Sequence, residues 1–158
     1  MPDIKIIVAI DDKNGIAIGQ KLPWDLPTDR KHFRDSVYED TVVLGWNTFA
    51  TNNYRPYGIG DTILLTRKDR EAVPGVWVVH DADDYFKKLT NDVWVAGGSE
   101  IYKIALQYAT HLYITKVDGD FGADTFFPEF KNDFKLIHED DPINENDITF
   151  RYQIWERK

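Results

Sequence analysis

The chain carries several short runs of apolar, β-branched residues with no polar face, and this feature limits what it can fold into. Ile4–Ile10 (IKIIVAI) is the clearest, and residues 41–44 (TVVL), 62–66 (TILLT), Val76–Val79 (VWVV) and 93–96 (VWVA) repeat it. A strand that is apolar on both faces has to be covered on both faces. Between these runs lie helical patterns. Pro27-Thr28-Asp29 opens one that continues to about Val37, and residues 47–53 give a short second. Residues 82–89 give a third with Asp81 as N-cap, and 99–109 a fourth with Ser99 placed to cap its first amides. Strands alternating with helices predict a mainly parallel α/β sheet with helices on both sides.

The C-terminal part follows another pattern. Residues 112–117, 134–138 and 148–156 read as strands, with no helix-length segment between the last two, and 148–155 (ITFRYQIW) alternates apolar and polar. That predicts an antiparallel pair closing one sheet edge. The stretch 138–147 (HEDDPINEND) reads as a solvated loop, because Asp, Asn and Pro142 disfavour regular structure. A length of 158 residues fits one domain, residues 1–158, and 42% hydrophobic residues supply a real core.

The chain contains no cysteine, which excludes disulfides, zinc–thiolate sites and cysteine nucleophiles and makes a reducing cytoplasm the expected location. The N-terminus lacks the layout of a secretory signal, and no apolar run approaches a membrane span. The formal charge of −8 is uneven: 10 basic and 11 acidic side chains in residues 1–80, against 9 and 16 in 81–158. Such a surface argues against nucleic acid or anionic lipid as partner, while the near-neutral first half leaves room for a local anion site.

Several chemistries find no support. GxSxG, GxGxxG and P-loop patterns are missing, and His32, His80, His111 and His138 lack metal-ligand spacing and read as surface or strand-end residues. The run from Asp118 (DGDFGAD) has Gly122 and Ala123 where a calcium loop needs an oxygen ligand and a glycine, so no metal site is expected. Gly97-Gly98-Ser99, between a buried strand and a helix, suits either a tight turn or a close backbone approach to a phosphate. The densest oddity is Leu22-Pro23-Trp24-Asp25-Leu26-Pro27-Thr28-Asp29. An acid in the first helical turn is ordinary dipole chemistry. However, Phe33 lies one turn on, and Leu22 and Trp24 precede, so Asp29 is expected in an apolar pocket. A carboxylate there can hold a cationic heterocycle or shift its pKa toward acid/base work.

These elements, in this order, resemble the dihydrofolate reductase family of the bacterial chromosomal type. The resemblance rests on Ile7-Val8-Ala9, Leu22-Pro23-Trp24 with Pro27 and Asp29-x-x-x-Phe33, Gly45 with Thr48-Phe49, and Leu65-Thr66-Arg67. It continues through Ala96-Gly97-Gly98-Ser99 with Ile101-Tyr102, Tyr113-Ile114-Thr115, and Ala123-Asp124-Thr125-Phe126-Phe127-Pro128. It implies NADPH-dependent reduction of 7,8-dihydrofolate on an eight-stranded, mainly parallel sheet with an antiparallel C-terminal strand and about four flanking helices. It implies Asp29 at the pterin, favouring protonation at N5, with Trp24, Leu22 and Thr115 arranged around it. Ile7, Val8, Phe33, Ala96 and Tyr102 would complete the pterin site. For NADPH it implies Ala9, Ile16, Gly45, Trp46, Asn47, Thr48, Thr66, Arg67, Lys68 and Ala96 through Tyr102, that is Gly97, Gly98, Ser99, Glu100 and Ile101, with a cis Gly97–Gly98 peptide. Residues 14–23 match a mobile lid over the nicotinamide. The expected partner is the small-molecule substrate, and the expected state is a monomer.

Three departures from the family pattern stand out. Trp46 follows Gly45 where an arginine is common, and we expect it to stack on adenine. Gly60, followed by Asp61, stands where an arginine usually forks to the folate glutamate; Arg30, Arg34 and Arg55 are the candidate substitutes. Ala17 replaces a common lid glycine. The missing tail arginine keeps open a related pterin or pyrimidine reductase of the riboflavin-pathway kind, or a non-catalytic ligand-binding descendant.

Overall fold

The computed structural model describes residues 1–70 and 73–158. Eleven strands are β1 (Ile4–Ile10), β2 (Gly15–Ala17), β3 (Val42–Gly45), β4 (Thr62–Leu65), β5 (Val76–Val79), β6 (Val93–Val95), β7 (His111–Val117), β8 (Thr125–Phe126), β9 (Phe134–Glu139), β10 (Ile143–Glu145) and β11 (Ile148–Arg157). Four helices are α1 (Pro27–Val37), α2 (Trp46–Thr51), α3 (Ala82–Lys87) and α4 (Ser99–Ala105). The main sheet runs β10-β11-β7-β1-β6-β3-β4-β5, and β9 also pairs with β11. β9 meets Gln153–Arg157 and β10 meets Ile148–Phe150, so these two segments share one edge position and nine strands fill eight places. All pairs from β7 to β5 are parallel, and β11 runs against its neighbours.

The apolar runs fold as strands, but β5 is not buried on both faces as expected: it is the sheet edge, and its Trp77 is 60% exposed. Ile4, Ile6, Val8 and Ile10 of β1 join one core with Phe86 of α3 and Tyr102 and Ala105 of α4. Ile7 faces the other way, into a core with Val37 of α1, Leu44, Phe49 of α2 and Trp94. Successive side chains of a strand point to opposite faces, so this alternation buries both sides of the sheet. α1 begins at Pro27, whose fixed φ and missing N–H suit the first turn, and carries Asp29 there and Arg34 in its last turn. Asp81 caps α3 as expected, its side chain accepting from the Asp84 amide at 3.0 Å.

Two sequence expectations need correction. Ser99 does not cap α4: the extended residue before the helix is Gly98, and Ser99 is already helical, with the helix closing at Ala105. The stretch 138–147 is not all loop, because β10 forms within it. Asn146 and Asp147 adopt positive φ (52° and 61°), which supplies a tight reversal into β11. β2 and β8 form a separate two-stranded sheet that the sequence pattern did not announce.

Candidate active site

The carboxyl ends of β1, β6, β3 and β4 lie side by side, the region where open α/β sheets collect their ligands. Asp29 reaches this edge from α1 and is 8% exposed. The Thr115 hydroxyl, from β7, donates to Asp29 Oδ1 at 2.7 Å. Thr115 is held between Ala9 of β1 and Tyr152 of β11 by strand register. Burial pushes the Asp29 carboxyl above the ordinary carboxylate range, the Thr115 hydrogen bond and His32 oppose that rise, and Glu145 adds to it. A raised carboxyl is the requirement for holding and passing a proton near neutrality.

Trp24 is buried beside Phe121, ring centroids 5.3 Å apart, and its Nε1 is buried with no protein partner among the described residues. Leu22 does not contribute to an apolar pocket, being 53% exposed. An Ile18–Lys21 bridge closes a surface turn just before it, and Trp24 and Leu26 provide the buried apolar flank instead. Phe33 packs edge-on against Tyr57, with centroids 4.9 Å apart.

Three neighbours of Asp29 escaped the sequence reading. His32 is not a surface residue: its ring stacks on Tyr152 at 3.9 Å, and burial lowers its pKa. Burial, with Asp29 and Glu145 nearby, raises the Tyr152 hydroxyl to about 12. The only signal for Tyr152 was the alternation of the last strand, and His32 and Glu145 had no signal specific to this site.

The glycine pair is built for close approach. The Gly97–Gly98 peptide is cis, and the Gly45 amide donates to Gly97 O at 2.8 Å. A Cβ on Gly97, where φ is +114°, would come within 3.2 Å of the Tyr102 hydroxyl. One on Gly98 would come within 3.2 Å of Thr48 Oγ1, and one on Gly45 within 3.1 Å of Ile101. Gly45, Thr48, Gly97, Gly98, Ile101 and Tyr102 are thus brought together, with the glycines packed closely on the side chains of the other three. Tyr102 is fully enclosed and donates to the Ile7 carbonyl at 2.8 Å, and burial pushes its hydroxyl far up. Ile16 is buried, Asn47 and Glu100 are exposed, and Glu100 lies 3.4 Å from Lys103.

Of the substitute cations for the substrate tail, Arg30 is paired with Asp25. Arg34 and Arg55 are exposed and have no ion-pair partner among the described residues, and Arg34 lies close enough to Tyr57 to influence it. Gly58 and Gly60 pack on the end of α1. A Cβ on either would fall 2.1 Å from Tyr38 O or 2.2 Å from Asp40 O, and the Ile59 amide donates to Tyr38 O at 2.8 Å. This packing leaves no room for a side chain at position 60. On the cofactor side, Arg67 and Lys68 are exposed after β4. The Trp46 ring does not stand open on both faces for adenine, because the Arg70 guanidinium lies 3.8 Å over it.

Residues 14–23 make several hydrogen bonds to the loop and strand at 122–126. β2 pairs with β8, the Gly19 amide donates to Asp124 Oδ2 at 2.9 Å, and the Asp124 amide donates to Ala17 O at 3.0 Å. Asp11, fully buried, accepts from the amides of Lys13, Gly15 and Phe121 and so joins the start of this segment to the loop after β7. An open cavity of about 570 Å³ elsewhere, lined by Asp61, His80, Asp84, Tyr85 and Lys88 among others, includes none of the residues read as a site from sequence.

A mainly parallel sheet with a buried carboxylate and a cis glycine pair at its carboxyl edge defines an α/β protein with a candidate ligand site there. The particular family follows from comparison. A family model described as dihydrofolate reductase matches residues 3–157. The dihydrofolate reductase of Aedes albopictus is 31% identical over 183 residues, covering 99% of this chain and 98% of that protein. That of Enterococcus faecium is 32% identical over 155 residues, covering 92% of each. A solved structure, dihydrofolate reductase from Enterococcus faecalis complexed with NADP(H) and RAB-propyl, superposes with a TM-score of 0.85 at 29% identity, over 99% of this chain and 96% of that one. The chain belongs to the dihydrofolate reductase family.

Proposed function

We propose that the chain reduces 7,8-dihydrofolate to 5,6,7,8-tetrahydrofolate with NADPH. One observation carries the site assignment: Asp29, buried and hydrogen-bonded to Thr115, shares a sheet edge with the cis Gly97–Gly98 cradle. When bound, NADPH would supply the hydride for pterin C6, and a proton would be added at N5. The protein contributes alignment, a dry pocket and that proton's path. Asp29 binds the pterin amino group and its neighbouring ring nitrogen. Its proton affinity, raised by burial, favours protonation at N5. Thr115 orients the carboxylate, and the buried Trp24 Nε1 is a donor without a partner among the described residues.

Ile7, Val8, Phe33 and Ala96 line the pterin, with Leu22 at the mouth. On the cofactor side, the cradle of Gly45, Thr48, Gly97, Gly98, Ser99 and Glu100 takes the pyrophosphate, with Ala9, Ile16, Asn47, Ile101 and Tyr102 around it. Thr66, Arg67 and Lys68 favour the phosphorylated over the plain nucleotide. We assign the folate glutamate carboxylate to Arg34 and Arg55 in preference to the Asp25-paired Arg30. The whole-chain family match favours this substrate over another pterin or a pyrimidine. We take the chain as a single-domain cytoplasmic monomer. No described helix is long and apolar enough to cross a membrane.

The test is the fall in NADPH absorbance on adding dihydrofolate. Turnover with product identified as tetrahydrofolate supports the assignment. Cofactor binding without turnover of any dihydropterin rejects it.

A further inference from the structure

We propose that Arg70, laid on the Trp46 ring, is a specificity-determining residue for the adenosine 2′-phosphate of the cofactor, with Trp46 as its positioning residue. The inference rests on the NADPH reading above and adds a residue that the family pattern does not supply.

The position after Gly45 holds an aromatic ring instead of a cation, yet a cation sits there: the Arg70 guanidinium carbon is 3.8 Å from the Trp46 centroid. The ring itself is fixed, with Tyr54 at 5.4 Å and Phe49 at 6.2 Å. Strand register sets Gly45 opposite Leu65, so Trp46 opens α2 next to Thr66, Arg67 and Lys68. The stack on Trp46 holds the Arg70 guanidinium, and among the described residues no carboxylate pairs with it and its Nε is buried without a partner. Asp69 points to His80 Nε2 at 3.2 Å, and His80 Nδ1 lies 2.8 Å from the Thr66 carbonyl. Arg67, Lys68 and Arg70 thus follow one another within four residues after β4, and Asp69 between them is directed to His80.

Stacking uses the face of a guanidinium and leaves its in-plane N–H groups for an anion. A planar fork of that kind matches a phosphate. The aromatic ring thus restores, through a residue 24 positions downstream, the phosphate partner that its own position lacks.

The experiment is calorimetric titration of the purified protein with 2′,5′-ADP and with 5′-AMP, comparing the natural chain with Arg70→Met, Arg70→Lys and Trp46→Leu. Met keeps an apolar stem on the ring and removes the fork. The natural chain should bind 2′,5′-ADP at least about tenfold tighter than 5′-AMP, as a charge-assisted contact provides. Arg70→Met should lose most of that ratio, with 5′-AMP affinity changed less than about twofold. Arg70→Lys and Trp46→Leu should fall between. Retention of the full ratio in Arg70→Met, in a variant with unchanged circular dichroism, overturns the role of Arg70 and leaves the cofactor reading standing. No ratio in the natural chain overturns both.

Discussion

Asp29 is a carboxylate whose burial works against the fold and for the chemistry. Because its pKa is raised in the folded state, the protonated form is the one the fold favours. The stability tied to this group is fully present at acid pH and is lost as pH rises through the raised value. Asp29→Asn, which cannot ionise, should therefore melt higher than the natural chain at neutral pH, with the difference shrinking on acidification; melting curves across pH check this. The same variant should lose about 10²-fold or more in kcat at neutral pH, with 2′,5′-ADP affinity unchanged. Thr115 lowers the Asp29 pKa through its hydrogen bond. Thr115→Val should shift the alkaline fall of the pH–rate profile to higher pH, and a stopped-flow profile of hydride transfer reads that shift. Asp29 itself was legible, because an acid one turn before Phe33 in a Pro–Trp-rich entry is an unusual pattern. His32 and Tyr152 were not, since nothing local brings a helix residue to a strand 120 positions away in the chain.

At the scale of elements, the turn before β4 leaves no room for a side chain at position 60. Gly58 and Gly60 are pressed against the backbone at the end of α1, and the Ile59 amide bonds to Tyr38 O. Restoring a cation with Gly60→Arg should not tighten folate binding. It should destabilise the protein by about 1–3 kcal/mol, because backbone and not a movable side chain fills the space; urea midpoints and KM for dihydrofolate measure the two effects. The sequence showed the missing arginine but not this reason, which lies in how α1 ends. The lid segment is similar: Asn14 and Gly19 marked turns, but pairing of β2 with β8 depends on strands that are three and two residues long. Elements so short carry no periodicity to read.

Across the whole molecule, a chain of net charge −8 is proposed to bind two anionic ligands. Every arginine and lysine assigned to that task lies in residues 1–80, and three of them cluster after β4 as Arg67, Lys68 and Arg70. The local cluster should outweigh the global repulsion, because it acts at contact distance while the acidic half is screened over about 10 Å at moderate salt. KM for NADPH should then rise with ionic strength, by about twofold to fivefold over the range in which surface charges are screened. A fall would mean that the global charge dominates.

The sequence by itself determined which apolar segments are strands, though not that β5 is an edge with Trp77 exposed, where α1 starts, and which family the chain belongs to. Those follow from local rules: side-chain period, the fixed φ of proline, and motif order. Only the tertiary structure decided that Thr115 meets Asp29, that no side chain fits at Gly60, and that Arg70 covers Trp46. Each of these is a contact between segments joined only through sheet register and helix packing. Its energy comes from burial and geometry that no single segment contains.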